Sequence, residues 1–549
     1  MPSKEKKYDC LVVGSGPGGS PFAWKLASQG MSVLILEAGP RYDPYKDYAL
    51  SETDWEMKGF PRGRKMKYAY GKKQTLDEKY KKLRSWNRAS GLLNPTPFRR
   101  YMGYQQVLGV GGTTLHFQGE AHRLNKDAFR MKSLFGIAVD WPIEYMDLEP
   151  YYTKVENIIG VAGPDDVPYR PRTSPYPLKP HKLSYASQIV EKACKKLGIK
   201  LEPNSVAILS QPYRDAPPCN YCNGCVWGCP RKDKGSVDVT FIPLAQDTGK
   251  CEILENVFVT RIEVEKKAGQ KRAKGVLYYD QDGKENFVAG EHIVIACGAV
   301  ETPRLLLNSE LNQNDLVGKN FMETTFYEAI AFHPSRVDSY RGIPIDSIIW
   351  KWNRPDPKRG FAGGLRLFPT VASAVGPINY ALQFCKGWGE KFVNEMDKWF
   401  GHAIGFGGIA EFLPNKDTFV TVDPKIKDEF GVPVAKIQSL LGESEIKSLE
   451  FIADKSKQIL RECGADEIVE EVSSYDLFSA THVYGTCRMG NNEENSVVNS
   501  SLRFHNIPNL LVTDASVFPT SGGGEAPSLT IEALSLRAAD LLLNDLKKG

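Results

Sequence analysis

The chain has 549 residues, 42% hydrophobic and 25% charged, the balance of an ordinary globular protein and not of a fibre or a disordered chain. At roughly 150 residues per unit it has room for a cofactor domain beside a substrate domain. A net charge of +4 over this length, with no dense Lys/Arg stripe interleaved with aromatics, excludes an obvious nucleic-acid partner.

The basic start, Lys4 to Lys7, reads as solvated surface, as do the pairs Lys72-Lys73 and Lys81-Lys82. It lacks the apolar stretch and cleavage site of a signal peptide, and no apolar segment reaches the ~20 residues needed to span a bilayer. The expectation is a chain that by itself is neither exported nor embedded. Residues 8–13 alternate toward an apolar strand, 14–19 form a glycine loop, 20–29 read as a helix and 32–37 as a second strand: a βαβ unit. Residues 47–100 and 151–180, rich in Pro, Tyr and charge, read as surface excursion and loop. Residues 183–197 suggest an amphipathic helix, 252–296 a run of strands broken by turns, and 443–463 and 529–546 further helices. The Phe-, Trp- and Gly-rich stretch 327–422 shows no helical period and suits an antiparallel sheet bearing a substrate pocket. Its aromatics Trp350, Trp352, Phe384 and Trp388 suit stacking on a sugar ring, although buried aromatics are more often core.

Gly14-Ser15-Gly16-Pro17-Gly18-Gly19 fits G-x-G-x-x-G, directly after a strand and opening a helix, with Glu37 ending the next strand. Such glycines permit a tight turn and close approach to a pyrophosphate, the helix N-terminus supplies N–H donors, and an acidic residue at that place accepts from a ribose diol. Gly14, Gly16, Gly18, Gly19 and Glu37 are therefore nucleotide-site candidates. These features do not separate FAD from NAD.

Of the 11 cysteines, four fall in Cys219-x-x-Cys222-x-x-Cys225-x-x-x-Cys229-Pro230. This is the spacing of the bacterial ferredoxin run, in which thiolates on a tight loop converge on an iron–sulfur cube. Zinc is the main rival, but structural zinc sites generally join two Cys pairs through a longer connector. Free thiols or disulfides are the remaining reading. One [4Fe–4S] cluster on all four cysteines and a [3Fe–4S] cluster on three are both compatible with the spacing.

Five stretches in order resemble the glucose–methanol–choline (GMC) oxidoreductases: the βαβ unit, Gly109-Val110-Gly111-Gly112-Thr113-Thr114, Gly298-Ala299-Val300-Glu301-Thr302-Pro303-Arg304-Leu305-Leu306, His482-Val483-Tyr484-Gly485-Thr486-Cys487-Arg488-Met489-Gly490, and Asp514-Ala515-Ser516-Val517-Phe518-Pro519. The resemblance implies an α/β fold of the GMC and p-hydroxybenzoate-hydroxylase type, a Rossmann-like FAD-binding domain with an antiparallel-sheet substrate domain. The implied limits are a discontinuous FAD-binding domain at 1–150, 200–325 and 475–549, carrying the cysteine loop at 215–232, and a substrate domain at 151–199 and 326–474. It implies FAD, with Gly111, Gly112 and Thr113 beside the isoalloxazine, Asp514 and Ala515 near the pyrophosphate, and Val259 on the cofactor. His116 either faces the flavin or is structural.

Removing hydride from an alcohol requires a base for the hydroxyl proton, and an imidazole with a pKa near 6.5 suits that task. The resemblance puts the base at His482. The family's second His or Asn, after Pro519-Thr520, is missing. Ala526 takes its place, and the neighbouring Glu525 either replaces it, as acceptor or proton partner of His482, or caps the C-terminal helix. A bacterial subset, the FAD-dependent glucose, fructose, sorbitol and gluconate dehydrogenases, resembles this chain in inserting a cysteine loop that binds [3Fe–4S]. Kinship with that subset implies a sugar, glycoside or polyol substrate and an external acceptor such as a cytochrome c. It also implies a small companion subunit that carries the export signal, which would give a periplasmic home. An alcohol oxidase of the same family and a non-catalytic flavin/iron–sulfur electron carrier are the alternative readings.

Overall fold

The computed structural model describes residues 7–61, 65–267, 269–312, 314–370 and 376–548; Lys4 to Lys6 of the basic start lie outside them. In chain order the elements that build the site are β1 (Tyr8–Val13), α1 (Ser20–Ala27), β2 (Val33–Leu36), α2 (Tyr145–Ile159), α3 (Tyr185–Lys196), β3 (Cys251–Leu254), β4 (Phe258–Lys267), β5 (Gln270–Tyr279), β6 (Glu285–Ile295) and α4 (Gly298–Asn308). After them come β7 (Thr325–Phe332), β8 (Leu365–Thr370), α5 (Pro377–Phe384), α6 (Glu390–Trp399), β9 (Ala403–Ala410), α7 (Glu443–Glu462), β10 (Glu467–Ser473), β11 (Ile507–Val512) and α8 (Ser528–Lys548).

The first sheet follows from apolar runs buried on both faces, the signature of parallel strands. Leu11, Val12, Ile35, Ile293 and Val294 have no exposed surface. β1 pairs in parallel with β2 and with the end of β6, β2 with β3, and β6 with β11. Helix α1 packs on β2 and β3, and α8 packs on α1, which brings the C-terminal helix onto the N-terminal βαβ unit. An antiparallel β4–β5 ribbon grows from the first half of β6. The fold is thus mixed α/β with a Rossmann-like core, as expected.

The second sheet is antiparallel, in the order β8-β9-β7-β10, and is extended by short strands at Trp86–Asn87 and Gly91–Leu92. Helix α7 packs on one of its faces. The strands in 327–422 are as expected, but α5 and α6 lie between β8 and β9. Pro377 starts α5, and Gly387 and Gly389 punctuate the stretch, so two short helices hide in a sequence that reads as strand and turn. Tyr380 and Trp399 stack on Phe332 of β7.

Two loop expectations are also corrected. Residues 151–159 belong to α2, whose Tyr145, Leu148, Tyr152, Val155 and Ile159 form one buried stripe despite Pro150. The stretch 47–100 is not only surface, because Asn87 enters the second sheet and donates to Glu470 Oε1 at 2.8 Å.

Candidate active site

One cavity of about 670 Å³ joins the two sheets. Its cofactor end is walled by backbone: Gly14, Gly16, Gly18, Glu37, Gly112, Thr113, Val259, Asp514 and Ala515 all line it. A side chain would fill this cradle. At Gly14 (φ +97°) a Cβ would sit 2.6 Å from the Ala296 carbonyl oxygen, and at Gly112 (φ +56°) 2.9 Å from Gly16 Cα. The two glycine turns therefore touch, and the first turn of α1 opens beside them, the arrangement that receives a pyrophosphate. Gly19 and Gly111 stand behind the wall: a Cβ on Gly19 would strike the Gly14 carbonyl, and one on Gly111 would lie 3.0 Å from Asp238 Cβ.

Both acids at this end also organise the backbone. Glu37 Oε2 accepts from Ser15 N (3.0 Å) and Ser15 Oγ (2.6 Å), and Oε1 from Gly39 N (3.0 Å). Asp514 Oδ2 accepts from Gly298 N at the start of α4 (3.0 Å) and Thr302 Oγ1 (2.5 Å), while Oδ1 accepts from Ser516 N (2.8 Å). Burial pushes both carboxyls upward from their usual range, and these bonds pull the other way.

At the substrate end His482 lines the cavity beside Thr324, whose hydroxyl donates to the His482 carbonyl at 3.0 Å. Burial, then the Arg366 guanidinium, lower the His482 imidazole to about 4, with the Glu120 carboxylate opposing them. The ring is neutral at physiological pH and has a free lone pair for a proton. His116, also on the wall, is lowered to about 4 by burial and by Lys234 and His482, and its Nε2 is buried with no hydrogen-bond partner among the described residues. It belongs to the cavity.

Glu525 does not line the cavity. Its carboxylate is fully buried and accepts from Arg170 Nη2 (2.5 Å) and Asn125 N (3.1 Å). The charged neighbours of His482 are instead Glu120 and Arg366, which the sequence reading missed. Arg366 donates from Nη1 and Nη2 to Glu120 Oε1 and Oε2 at 2.5 and 2.8 Å, a bidentate pair that holds the Glu120 carboxyl down at about 2. At Ala526, where the family's second residue is absent, the backbone N donates to His122 Nδ1 at 3.2 Å. His122 Nε2 therefore carries the proton toward Asn204 Oδ1, 2.8 Å away, and both ring nitrogens are committed. None of Trp350, Trp352, Phe384 and Trp388 lines the cavity; Trp350 stacks on Arg170 and Trp388 is 88% exposed.

The cysteine loop lies against the same cavity. Asn223, Val226 and Trp227, from within the run, line it. Fully buried Lys234 donates to the carbonyls of Leu115 (2.9 Å), Phe117 (3.1 Å) and Cys225 (2.9 Å), tying the loop to the segment after Gly112. Cys225 is buried and Cys222 exposed, and all 11 cysteines are free. Cys219, Cys222 and Cys229 each stand within electrostatic reach of Cys225. Among the described residues no three His, Cys, Asp or Glu are arranged to hold a metal ion. Burial and Asp233 raise Cys219 and Cys229 to about 12 and 11, and the Cys229 thiol donates to Asp233 Oδ1 at 3.2 Å.

Two models of the GMC oxidoreductases match residues 136–325 and 414–535, together more than half of the chain, and a model of the NAD(P)-binding Rossmann-like domain matches 12–42. The chain belongs to the GMC oxidoreductase family, and it is an FAD-dependent oxidoreductase acting on CH–OH groups. It is 28% identical to the fructose dehydrogenase large subunit of Gluconobacter japonicus, with all of both chains covered. It is 29% identical to the 2-methyl-1,2-propanediol dehydrogenase of Mycolicibacterium austroafricanum, over 99% of this chain and 96% of that one. Among solved structures, formate oxidase superposes with a TM-score of 0.66 at 15% identity over the whole of both chains. Pyridoxine 4-oxidase from Mesorbium loti superposes at 0.60 and 17%, over 98% of this chain and 99% of that one.

Proposed function

We propose that the protein is a dehydrogenase that oxidises a CH–OH group of a sugar, glycoside or polyol, with His482 as the base. The supporting observation is a neutral imidazole facing the cavity whose other end is the glycine cradle. FAD, held by Gly14, Gly16, Gly18, Glu37, Gly112, Thr113, Val259, Asp514 and Ala515, supplies the hydride acceptor when bound. His482 takes the hydroxyl proton as the carbinol C–H bond breaks. The imidazolium that forms is stabilised by the Glu120 carboxylate, while Arg366 keeps that carboxylate ionised and the resting imidazole neutral. Thr324 fixes the His482 backbone, and His116 closes the flavin side of the cavity. Glu525 acts as a buried anchor for Arg170 and Asn125, a positioning part behind the cavity wall.

In this reading the domains divide as the sequence suggests, a discontinuous FAD-binding part at 1–150, 200–325 and 475–549 and a substrate part at 151–199 and 326–474. Cys219, Cys222, Cys225 and Cys229 offer four thiol donors on one short loop, which drawn together would hold an iron–sulfur cluster, and such a cluster would supply one-electron exits toward a cytochrome c or similar acceptor. The names of two relatives, fructose dehydrogenase large subunit and gluconate 2-dehydrogenase flavoprotein, favour a sugar-type substrate, and the former a partner subunit. Iron and acid-labile sulfide assays on anaerobically purified holoprotein, with aerobic turnover in the presence and absence of an artificial acceptor, test this reading. Stoichiometric iron and sulfide with acceptor-dependent turnover are expected. An iron-free protein that makes peroxide at full rate overturns the cluster and the dehydrogenase assignment together.

A further inference from the structure

The cavity face of the second sheet carries a second carboxyl, set in a different environment from Glu120. Three strands contribute in register: Phe326, Glu328 and Ile330 from β7, Ile409, Gly407 and Gly405 from β9, and Arg366, Phe368 and Thr370 from β8. Phe326, Glu328, Ile409, Phe368 and Thr370 all line the cavity. Alternation in a strand puts residues i and i+2 on one face, so Gly405 and Gly407 leave the middle strand bare just where its neighbours carry Glu328 and Thr370.

The two polar groups lean into that gap. A Cβ on Gly405 would strike Thr370 Oγ1 and lie 3.3 Å from Glu328 Oε1. Among the described residues Thr370 Oγ1 is buried and makes no hydrogen bond of ordinary geometry, though it stands close enough to Glu328 to lower that carboxyl. Among those residues no Lys, Arg or His pairs with Glu328, whereas Arg366 fully engages Glu120. Burial, reinforced by Glu470 on β10 and moderated by Thr370, raises the Glu328 carboxyl to about 7. A carboxylic acid in this state both donates and accepts, and so does a threonine hydroxyl, which matches an alcohol group better than an ion.

The spacing says which alcohol group. Thr324, the residue just before β7, holds the His482 carbonyl, and Glu328 is four residues further along the chain, about 13 Å at ~3.3 Å per residue. Glu328 therefore stands further along the wall than the point where the His482 backbone is anchored. We infer that Glu328, with Thr370, is a specificity subsite that binds a remote hydroxyl of a polyhydroxylated substrate whose reacting carbinol lies at His482.

This rests on the proposed sugar or polyol oxidation, so binding is measured apart from turnover. Anaerobic calorimetry on dithionite-reduced holoprotein would use D-sorbitol and 1-hexanol, six-carbon probes with and without remote hydroxyls, against the parent, Glu328→Gln, Glu328→Leu and Thr370→Val. Leaving the polar site half-empty should weaken sorbitol binding about tenfold in Glu328→Leu and about threefold in Thr370→Val, with 1-hexanol changed less than about twofold. Glu328→Gln, which keeps a donor and an acceptor, should stay within about threefold of the parent for sorbitol. Thr370→Val keeps the test open if Glu328→Leu does not fold. Unchanged sorbitol affinity in every variant, equal losses for both probes, or no sorbitol binding by the parent overturns the inference. If sorbitol binds as expected but never bleaches the flavin, this subsite stands and the proposed reaction fails.

Discussion

The two ends of the cavity are made of different material. The cofactor end is backbone: glycine turns brought so close that a side chain on Gly112 would meet Gly16 Cα, with two carboxylates spent on holding N–H groups in place. The substrate end is side chain, titratable groups on separate segments whose protonation is set by burial and by charged neighbours: His482 at about 4, Glu120 at about 2 and Glu328 at about 7. Geometry written in glycines cannot be tuned without being broken. Geometry written in charges can be adjusted one residue at a time, which is how a family can keep its cofactor and change its substrate.

The sharpest way to break the cofactor end is Gly112→Val. The new side chain meets Gly16 Cα and requires a left-handed backbone that valine rarely adopts, so the purified protein should lose its flavin absorbance almost completely. At the substrate end, His482→Gln should keep bound FAD but slow anaerobic flavin reduction by about 10²- to 10⁴-fold, the usual contribution of a positioned base. Arg366→Leu leaves Glu120 buried without its partner and should lower stability by about 3–5 kcal/mol in denaturant unfolding. Because Arg366 depresses His482, the acid limb of the reduction rate should also move to higher pH in that variant.

A smaller effect separates the two ends by pH alone. His116, His122 and His482 are held neutral, with folded values of about 4, 3 and 4 against ~6.5 for an unperturbed imidazole. The unfolded chain therefore takes up protons first, so the stability these groups contribute is present above pH ~6.5 and is lost as the pH falls from there toward 4. The Tm of the parent should drop over that window, and the gap between parent and His122→Gln should narrow, since that variant has one fewer such group. A gap that widens on acidification would contradict the assigned protonation.

The same contrast explains what could be read in advance. The βαβ unit is legible because glycine spacing and apolar period are local signals, and Glu37 at the end of β2 lines the cavity; Asp514, expected from the resemblance alone, lines it too. The cysteine run is legible for the same reason, but the packing of its loop on Lys234 is not, since that depends on carbonyls of Leu115 and Phe117 more than a hundred residues away in sequence. Glu120 and Arg366 are 246 residues apart in sequence and meet only through the second sheet. Their one local trace is chemical: Arg366 in LRLFPT, like Glu328 in TFYEAIAF, is a charge within an otherwise apolar strand, and a buried charge implies a partner or a function. Glu525 misleads because adjacency in sequence to Ala526 places it beside the site, while its side chain turns to Arg170. Helices α2 and α5 hide behind Pro, Tyr and Gly, whose local preferences are outweighed by burial of one face, while α6 buries no residue and only half-covers Met396 and Trp399.

The most direct test of the account is anaerobic stopped-flow reduction of the bound flavin by a panel of sugars, polyols and simple alcohols, in the parent and in His482→Gln. The account predicts that a polyhydroxylated substrate bleaches the parent at neutral pH, that the rate falls only as the pH approaches the His482 value near 4, and that His482→Gln binds FAD yet is reduced at least about a hundredfold more slowly. Equal rates in the two proteins would contradict the assignment of His482 as the base.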